Sequence, residues 1–98
     1  MIIATNIYTV NSENRDAAIA EMIKVSAASR QVEGVIKHSY YADLGDPTVI
    51  RFYGEFEDAE ALERHHKGQH VVPFWEALKT LGVTSSGGFL STYTPFSN

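Results

Sequence analysis

The sequence predicts a single-domain α+β protein with elements in the order strand, helix, strand, strand, helix, strand. Its 98 residues have the length of one domain. Several segments alternate β-branched and polar residues, while others repeat apolar residues at helical spacing. Hydrophobic residues make up 44% of the chain and charged residues 20%, which is typical of a globular protein able to bury one core.

Four segments have the composition of strands. Ile2–Val10 is β-branched and alternating, which predicts the first strand. Gly34–Asp43 and Thr48–Phe56 are the second and third, and the short turn at Asp43–Pro47 makes them an antiparallel hairpin. A last strand is predicted from about residue 88 to residue 94.

The first helix is predicted from about Glu13 to Val32, with Asn11 or Ser12 as a cap and an end near Gly34. Its buried positions should be the apolar or small residues that recur at helical spacing. These are Ala18, Met22, Val25 and Ser29.

The second helical region is predicted in two pieces. Asp58 caps the first piece, Gly68 interrupts it, and the second piece runs from Val71 to Leu81 with Pro73 in its first turn. The residues expected to be buried on the second piece are Phe74, Trp75, Leu78 and Leu81.

This order is the ferredoxin-like split unit, an antiparallel sheet with helices on one face. The hairpin should have two faces. One would carry Ile36, His38 and Tyr40 with Ile50, Phe52, Gly54 and Phe56, and the other Val35, Tyr41, Val49 and Tyr53. Both faces are apolar, so a lone monomer would expose one of them. We therefore expect a homodimer whose sheets pack face to face and close a β-barrel.

Composition argues against several classes of function. The net charge is −4 with no basic stripe, which disfavours nucleic acid as a partner. Cysteine is absent, which removes disulfides and thiolate chemistry. The start, MIIATNIYTV, lacks the basic region of a signal peptide, and no apolar run reaches membrane-spanning length, so we expect a cytoplasmic protein that does not enter membranes.

The stretch ALERHHKGQH contains three of the four histidines, His65, His66 and His70. Adjacent helical residues point in different directions, so His66 is predicted to be solvated if His65 is buried. The spacing of His66 and His70 would suit zinc, but Gly68 breaks the helix and no third ligand is evident, so no metal is expected.

The longer run GVIKHSYYADLGDPTVIRFYGEFEDAEALERHHKGQH resembles the antibiotic biosynthesis monooxygenase family of dimeric ferredoxin-like α+β barrels. The resemblance lies in the Asp43–Pro47 turn, the aromatic Phe56 followed by Asp58, and the pair His65 and His70. Members of this family include cofactor-free oxygenases of phenolic polyketides, quinol oxidases, haem-degrading enzymes and a quorum-signal isomerase.

The resemblance implies a pocket between the sheet and the helices. The pocket-facing residues would be Asn6, His38, Tyr40, Phe52, Gly54, His65, His70, Phe74 and Trp75. His65 or His70 would be the general base, and Asn6, aided by His38, would bind the developing oxyanion. Tyr40, Phe52, Phe74 and Trp75 would bind the substrate, although aromatic residues at such positions are also common in cores.

Two departures from the family pattern matter. Gly54 stands where members often have Glu, which would enlarge the cavity unless Glu55 takes the carboxylate's place. The haem-degrading branch pairs an Asn on the first strand with a Trp and a His on later helices. This chain keeps Asn6 but has His65 in place of the Trp and Trp75 in place of the His.

The resulting prediction is a cofactor-independent monooxygenase that oxidises a small electron-rich aromatic, such as a quinol or polyketide-type phenol, with dioxygen. No flavin or nicotinamide fingerprint is present, and no cofactor is expected. The alternatives are an isomerase of small carbonyl compounds, a non-catalytic ligand-binding dimer and a haem-degrading enzyme.

Overall fold

The structure, a computed structural model, describes residues 1–92. Its elements occur in the predicted order, with the second helical region split in two. They are β1 (Ile2–Thr9), α1 (Arg15–Ser29), β2 (Val35–Ala42), β3 (Val49–Phe56), α2 (Ala59–His66), α3 (Val71–Thr80) and β4 (Thr84–Thr92).

The four described strands form one antiparallel sheet in the order β2-β3-β1-β4. This is the ferredoxin-like arrangement that the sequence predicted. Helix α1 packs against β2 and α3, while α2 packs against β2 and β3, so the helices cover one face. The sheet is open between β2 and β4, and closure by a second copy stays a prediction.

The core on the inner face consists of two hydrophobic clusters. The larger, which we call the α1 cluster, contains Tyr8, Val10, Ala18, Met22, Val25, Ile50, Phe74 and Leu78. The smaller, the α2 cluster, contains Phe56, Ala61 and Leu62, with Ile2, Ala4 and Val35 packed against it.

Turns and caps bring α2 close to the start of β2. The carboxylate of Asp58 accepts the Ala61 N–H at 2.8 Å and starts α2, as predicted. Gly34 has a φ of +88° and no side chain, and a Cβ there would lie 2.5 Å from the Ala61 Cβ. Glycine is thus required both for the turn and for the approach of α2.

The first helix differs from the prediction at its ends. It stops at Ser29, three residues before the predicted Val32. At its start, Asn11 accepts the N–H of Asn14 at 2.8 Å, while Asn14 itself occupies the cap position. All four predicted buried positions of this helix are buried, together with Ser26.

The predicted faces hold for β3 but not for the start of β2. Pairing between β2 and β3 shifts at residues 35–37, which reverses the alternation there. As a result, Val35 packs on the α2 cluster and Ile36 is 52% exposed, opposite to the prediction. A bulge of this kind leaves no clear signal in a strand that is apolar on both faces.

Two other predictions were wrong in detail. Trp75 is 45% exposed because it flanks the buried face of α3, which is formed by Val71, Phe74 and Leu78. Strand β4 begins at Thr84 and not at residue 88, since the serines there pair with β1 despite their turn-like composition. The predicted end of this strand, at residues 93–94, lies outside the described residues. Among residues 1–92, no helix is long and apolar enough to cross a bilayer.

Candidate functional site

A cavity of about 390 Å³ lies between the inner face of the sheet and helices α2 and α3. Its walls are mostly aromatic and aliphatic, with polar groups from β1, β2, α2 and β4. The lining residues used below are Asn6, Tyr8, His38, Tyr40, Phe52, His65, His66, Phe74, Trp75 and Ser85. A small aromatic molecule is the kind of ligand that such a cavity accepts.

A second cavity of about 440 Å³ lies between α1 and the β2 edge. Its ionisable groups are Arg30 and the phenols of Tyr40 and Tyr41, and no histidine lines it. The first cavity combines apolar walls with two buried histidines. We therefore take it as the candidate site.

His38 is held in the sheet wall by a serine on α1. The ring is 2% exposed, and its Nδ1 lies 2.9 Å from the Ser26 hydroxyl. It packs on Phe52 with ring centroids 4.6 Å apart and lies 5.0 Å from the ring of His65. A buried, bonded ring of this kind has one fixed orientation.

His65 faces His38 from the last turn of α2. Its side chain is 7% exposed, and its Nε2 lies 2.9 Å from the hydroxyl of Ser29. Its other nitrogen, Nδ1, is buried and has no hydrogen-bond partner within the described chain. A buried polar atom without a partner costs free energy, and a ligand in the cavity that His65 lines could supply the missing partner.

His70 does not line the cavity. It lies in the turn before α3 and lines a separate groove with Glu21 and Lys24 of α1. Its Nε2 is 3.0 Å from the same Ser29 hydroxyl that binds His65. Gly68 makes room for the ring, because a Cβ at position 68 would lie 2.7 Å from the His70 Nδ1.

Burial determines the charge of the two cavity histidines. It lowers the pKa of His38 to about 3, and repulsion from the charged forms of His65, Arg30 and His70 acts in the same direction. It likewise lowers the pKa of His65 to about 4, with His66 and His70 adding to the effect. Both rings are therefore neutral at pH 7, and each carries one proton on one of its two nitrogens.

Aromatic rings form the other end of the cavity. Tyr8 contacts Tyr40 and Trp75 with centroids 5.9 and 6.0 Å apart, and Phe74 contacts Trp75 at 5.4 Å. Burial raises the pKa of Tyr8 to about 12, although Asn6 and Tyr40 beside its hydroxyl act against the shift. Burial also raises the pKa of Tyr40, so both phenols stay neutral.

Asn6 has a fixed orientation. Its Oδ1 accepts the backbone N–H of Ile7 at 2.8 Å and the hydroxyl of Ser85 at 2.8 Å. A backbone N–H can only donate, so the bonded atom must be the amide oxygen. The amide nitrogen has two N–H donors, of which one interacts with the Tyr8 hydroxyl, so the other can serve a ligand.

Gly54 does not enlarge the cavity. A Cβ at this position would lie 2.7 Å from Phe52 Cζ and 3.1 Å from Phe56 Cε2, so these rings occupy the space. Glu55 does not replace the missing carboxylate either, because it accepts the Tyr53 hydroxyl and lines a groove on the outer face.

Most of the predicted site residues converge on this cavity. They are Asn6, His38, Tyr40, Phe52, His65, Phe74 and Trp75. His70 and Gly54 are not among its lining residues, and His66 is exposed but reaches its rim. In residues 1–92, no three His, Cys, Asp or Glu side chains are grouped so as to hold a metal ion.

Ser26 and Ser29 were missed as functional residues. They lie three positions apart on the buried face of α1 and are 3% and 0% exposed. Hydroxyls on an otherwise apolar helix face need partners, so this spacing was a signal that polar groups lie opposite.

Comparison with known proteins agrees with this arrangement. The family model for antibiotic biosynthesis monooxygenases matches residues 1–77. A Deinococcus radiodurans protein classed with those enzymes superimposes with a TM-score of 0.93 at 20% identity, over 100% of this chain and 97% of that one. No curated protein matches this chain.

Two further structures have the same fold. SnoaB, a cofactor-independent oxygenase from Streptomyces nogalater, has a TM-score of 0.85 at 18% identity, over 97% of this chain and 94% of that one. A Nitrosomonas europaea protein classed as an antibiotic biosynthesis monooxygenase has a TM-score of 0.85 at 12% identity, covering 95% and 98% of the two chains. On the extent of the family match, this chain belongs to the antibiotic biosynthesis monooxygenase family.

Proposed function

We propose that this protein is a cofactor-independent monooxygenase that oxidises a small electron-rich aromatic, a quinol or polyketide-type phenol, with dioxygen. One observation carries the proposal: His65 is buried and neutral, and its Nδ1 lacks a partner in an aromatic-lined cavity. Family membership supports an oxygenase, and the fold that the chain shares with SnoaB is compatible with one.

The cavity suits a flat aromatic ring. Phe52, Phe74 and Trp75 supply faces and edges for ring contacts, which favour offset and edge-on packing. Polar groups lie on the sheet at His38 and Asn6. A phenol can therefore bury its ring among the aromatics and keep its hydroxyl near His65.

The first step is removal of the phenol proton by His65 Nδ1. A phenol has a pKa of about 10 in water, so proton transfer to a histidine of pKa about 4 is uphill in the empty cavity. The phenolate itself would raise the pKa of His65 by attraction between opposite charges. Donation from the amide nitrogen of Asn6 would stabilise the phenolate oxygen.

The phenolate then supplies the electrons. It gives one electron to dioxygen, and the resulting ring radical and superoxide combine to form a carbon–oxygen bond. Return of a proton gives a hydroperoxide, which loses water as its O–O bond breaks and the carbon becomes a carbonyl. Counted on the keto tautomer of the phenol, in which the reacting ring carbon is a CH₂ group, the sum is one CH₂ group and one dioxygen converted into one C=O group and one water. The apolar walls exclude solvent from these intermediates.

The homodimer remains part of the proposal. The outer sheet face has half-buried Ile3, Ile7 and Tyr53 and an exposed Tyr41, with Lys37, Arg51 and Glu55 among them. A second copy packed on this face would cover these apolar groups. The cytoplasmic location expected from the sequence belongs to the proposal as well.

The test is dioxygen uptake by metal-free protein with a panel of hydroquinones and anthrones. We expect substrate-dependent uptake and one labelled oxygen atom in the product when labelled dioxygen is used. His65→Ala should lower the rate by about 10²- to 10⁴-fold, the usual contribution of a general base. Glu63→Gln, an exposed change on the same helix, is the matched control and should retain the wild-type rate.

Other outcomes would point elsewhere. Turnover without dioxygen would favour an isomerase, and tight binding without product would favour a ligand-binding dimer. A Soret band on haem titration, followed by haem breakdown, would favour haem degradation. Full activity in His65→Ala would remove His65 as the base.

A further inference from the structure

One serine hydroxyl lies within hydrogen-bond distance of two histidines that line different cavities. Ser29 Oγ lies 2.9 Å from Nε2 of His65 and 3.0 Å from Nε2 of His70. His65 lines the candidate cavity, whereas His70 lines the groove between α1 and the start of α3. Ser29 is fully buried, while His70 is partly exposed.

We propose that His65, Ser29 and His70 form a proton relay that carries a proton from the cavity to the groove and back. The relay rests on the proposed function for the source of the proton. Its hydrogen-bond arrangement is a property of the protein without substrate.

The single proton of the Ser29 hydroxyl limits the possible arrangements. If Ser29 donates to His70, then His65 must donate its Nε2–H to Ser29, and its Nδ1 is left bare. If Ser29 donates to His65, then His70 must donate its Nε2–H to Ser29, and His65 carries its proton on Nδ1. The two rings therefore have complementary tautomers.

Proton transfer converts the first arrangement into the second. The substrate O–H gives its proton to Nδ1 of His65, and the Nε2–H of His65 passes to Ser29 Oγ. The hydroxyl proton of Ser29 passes in turn to Nε2 of His70. In each transfer one bond to hydrogen forms as another breaks. At the end His65 is neutral, and the positive charge lies on His70. The same steps in reverse return the proton when the hydroperoxide forms.

This route avoids a charged ring inside the cavity. Burial lowers the pKa of His65 to about 4, so a stored charge on that ring is unfavourable. His70 lies at a groove that it shares with Glu21 and Lys24, where water can stabilise the imidazolium. The relay thus gives a buried base access to a more favourable site for its proton.

Within the described residues, ionisable groups from β2, α1 and α2 surround the relay. His38 on β2 and His66 on α2 contact the ring of His65, and His38 is neutral because burial lowers its pKa to about 3. Tyr8 and Tyr40 line the same cavity, and both have raised pKa values. Arg30 of α1 acts on His38, and Glu21 and Lys24 flank His70.

The direct test is long-range proton–nitrogen NMR of the histidine rings in ligand-free protein. At neutral pH we expect a bare Nδ1 on His65 and a bare Nε2 on His70. When His70 carries protons on both ring nitrogens, His65 should carry its proton on Nδ1 and remain neutral. A protonated Nδ1 on His65 while Nε2 of His70 is bare, or a His65 tautomer that does not change with the protonation of His70, would overturn the relay.

Three variants sharpen this measurement. Ser29→Ala should uncouple the His65 tautomer from the charge of His70. His70→Gln, at a partly exposed position, should make that tautomer independent of pH and serves if the buried change impairs folding. Ser26→Ala is the matched control, since it removes a similar buried hydroxyl from the same helix but leaves the coupling intact.

Activity provides a separate readout. With a hydroquinone or anthrone that wild type oxidises, Ser29→Ala and His70→Gln should lower the rate of dioxygen uptake about tenfold or more. Free imidazole should partly restore a His70→Ala variant but not Ser29→Ala, because only the former keeps the inner hydroxyl and leaves room for an imidazole. If wild type consumes no dioxygen, the proposed function is wrong, and the relay is then tested by the NMR measurement alone. If wild type and both variants are equally active, the relay fails and the function stands.

Discussion

The two hydrophobic clusters and the polar gap between them have opposite roles. The α1 and α2 clusters are mostly apolar and their burial stabilises the fold, although Tyr8 and Phe74 of the α1 cluster also form part of the cavity wall. Between them lie Ser26, Ser29, His38 and His65, all buried, with His65 touching Phe56 on one side and His38 touching Phe52 on the other. Buried polar groups add little net stability even when paired, and one nitrogen here is unpaired. The difference suggests that the gap is kept for chemistry and the clusters for folding.

The largest expected loss of stability comes from the α2 cluster. Phe56→Ala removes a ring that is 1% exposed and should lower the free energy of unfolding by about 3–5 kcal/mol. Trp75→Ala is the matched comparison, because that ring is 45% exposed and lines the cavity. It should change stability much less and raise the KM for an aromatic substrate. Equal losses in denaturant unfolding would contradict the distinction.

The next effect is a loss of stability in acid. The pKa values of His38 and His65 in the folded protein, about 3 and about 4, lie below the unfolded value of about 6.5. Below pH 6.5 the unfolded chain binds about two more protons, so stability is full above that pH and falls as the pH decreases towards 4. The loss between pH 7 and pH 5 should be about 4 kcal/mol, about 2 kcal/mol for each ring.

Urea unfolding across this range measures that loss, and His65→Gln is the informative variant. It should reduce the excess protons from about two to about one and make the pH dependence shallower. An unchanged slope would mean that His65 is not buried as a neutral ring.

The smallest effect concerns a single bond in the gap. Ser26→Ala leaves the Nδ1 of buried His38 without its serine partner and should cost about 1–3 kcal/mol. Ser39→Ala is a suitable control, since its hydroxyl makes only a long, exposed contact of 3.4 Å with Arg30. Thermal unfolding of the two variants would separate them.

The regular features of this fold were predictable, and the exceptions have physical causes. Alternation on β3 and spacing on α1 predicted the buried faces because each element has a clear apolar side. The start of β2 was misread because Val35 and Ile36 are equally apolar, so only the bulge decides which is buried. Trp75 was expected to be buried on α3, but it flanks the face that Val71, Phe74 and Leu78 bury.

The candidate site was predictable in its residues more than in its connections. His38, His65 and Asn6 were found from strand faces and the family resemblance, and they converge on one cavity. The role of Ser29 was not predicted, because its hydroxyl bonds two histidines that lie 36 and 41 positions further along the chain. Those bonds also explain why His70 is linked to the cavity without lining it.

The most direct test of the central claim is to make the gap apolar and measure stability and activity together. The double variant His65→Leu with Ser29→Ala removes both bonding partners at once and brings aliphatic groups between the clusters. We predict a free energy of unfolding at pH 7 equal to or above that of wild type, because no buried group of the pair is left unsatisfied, while dioxygen uptake is lost. A variant that is strongly destabilised, or one that still oxidises the substrate, would contradict the account.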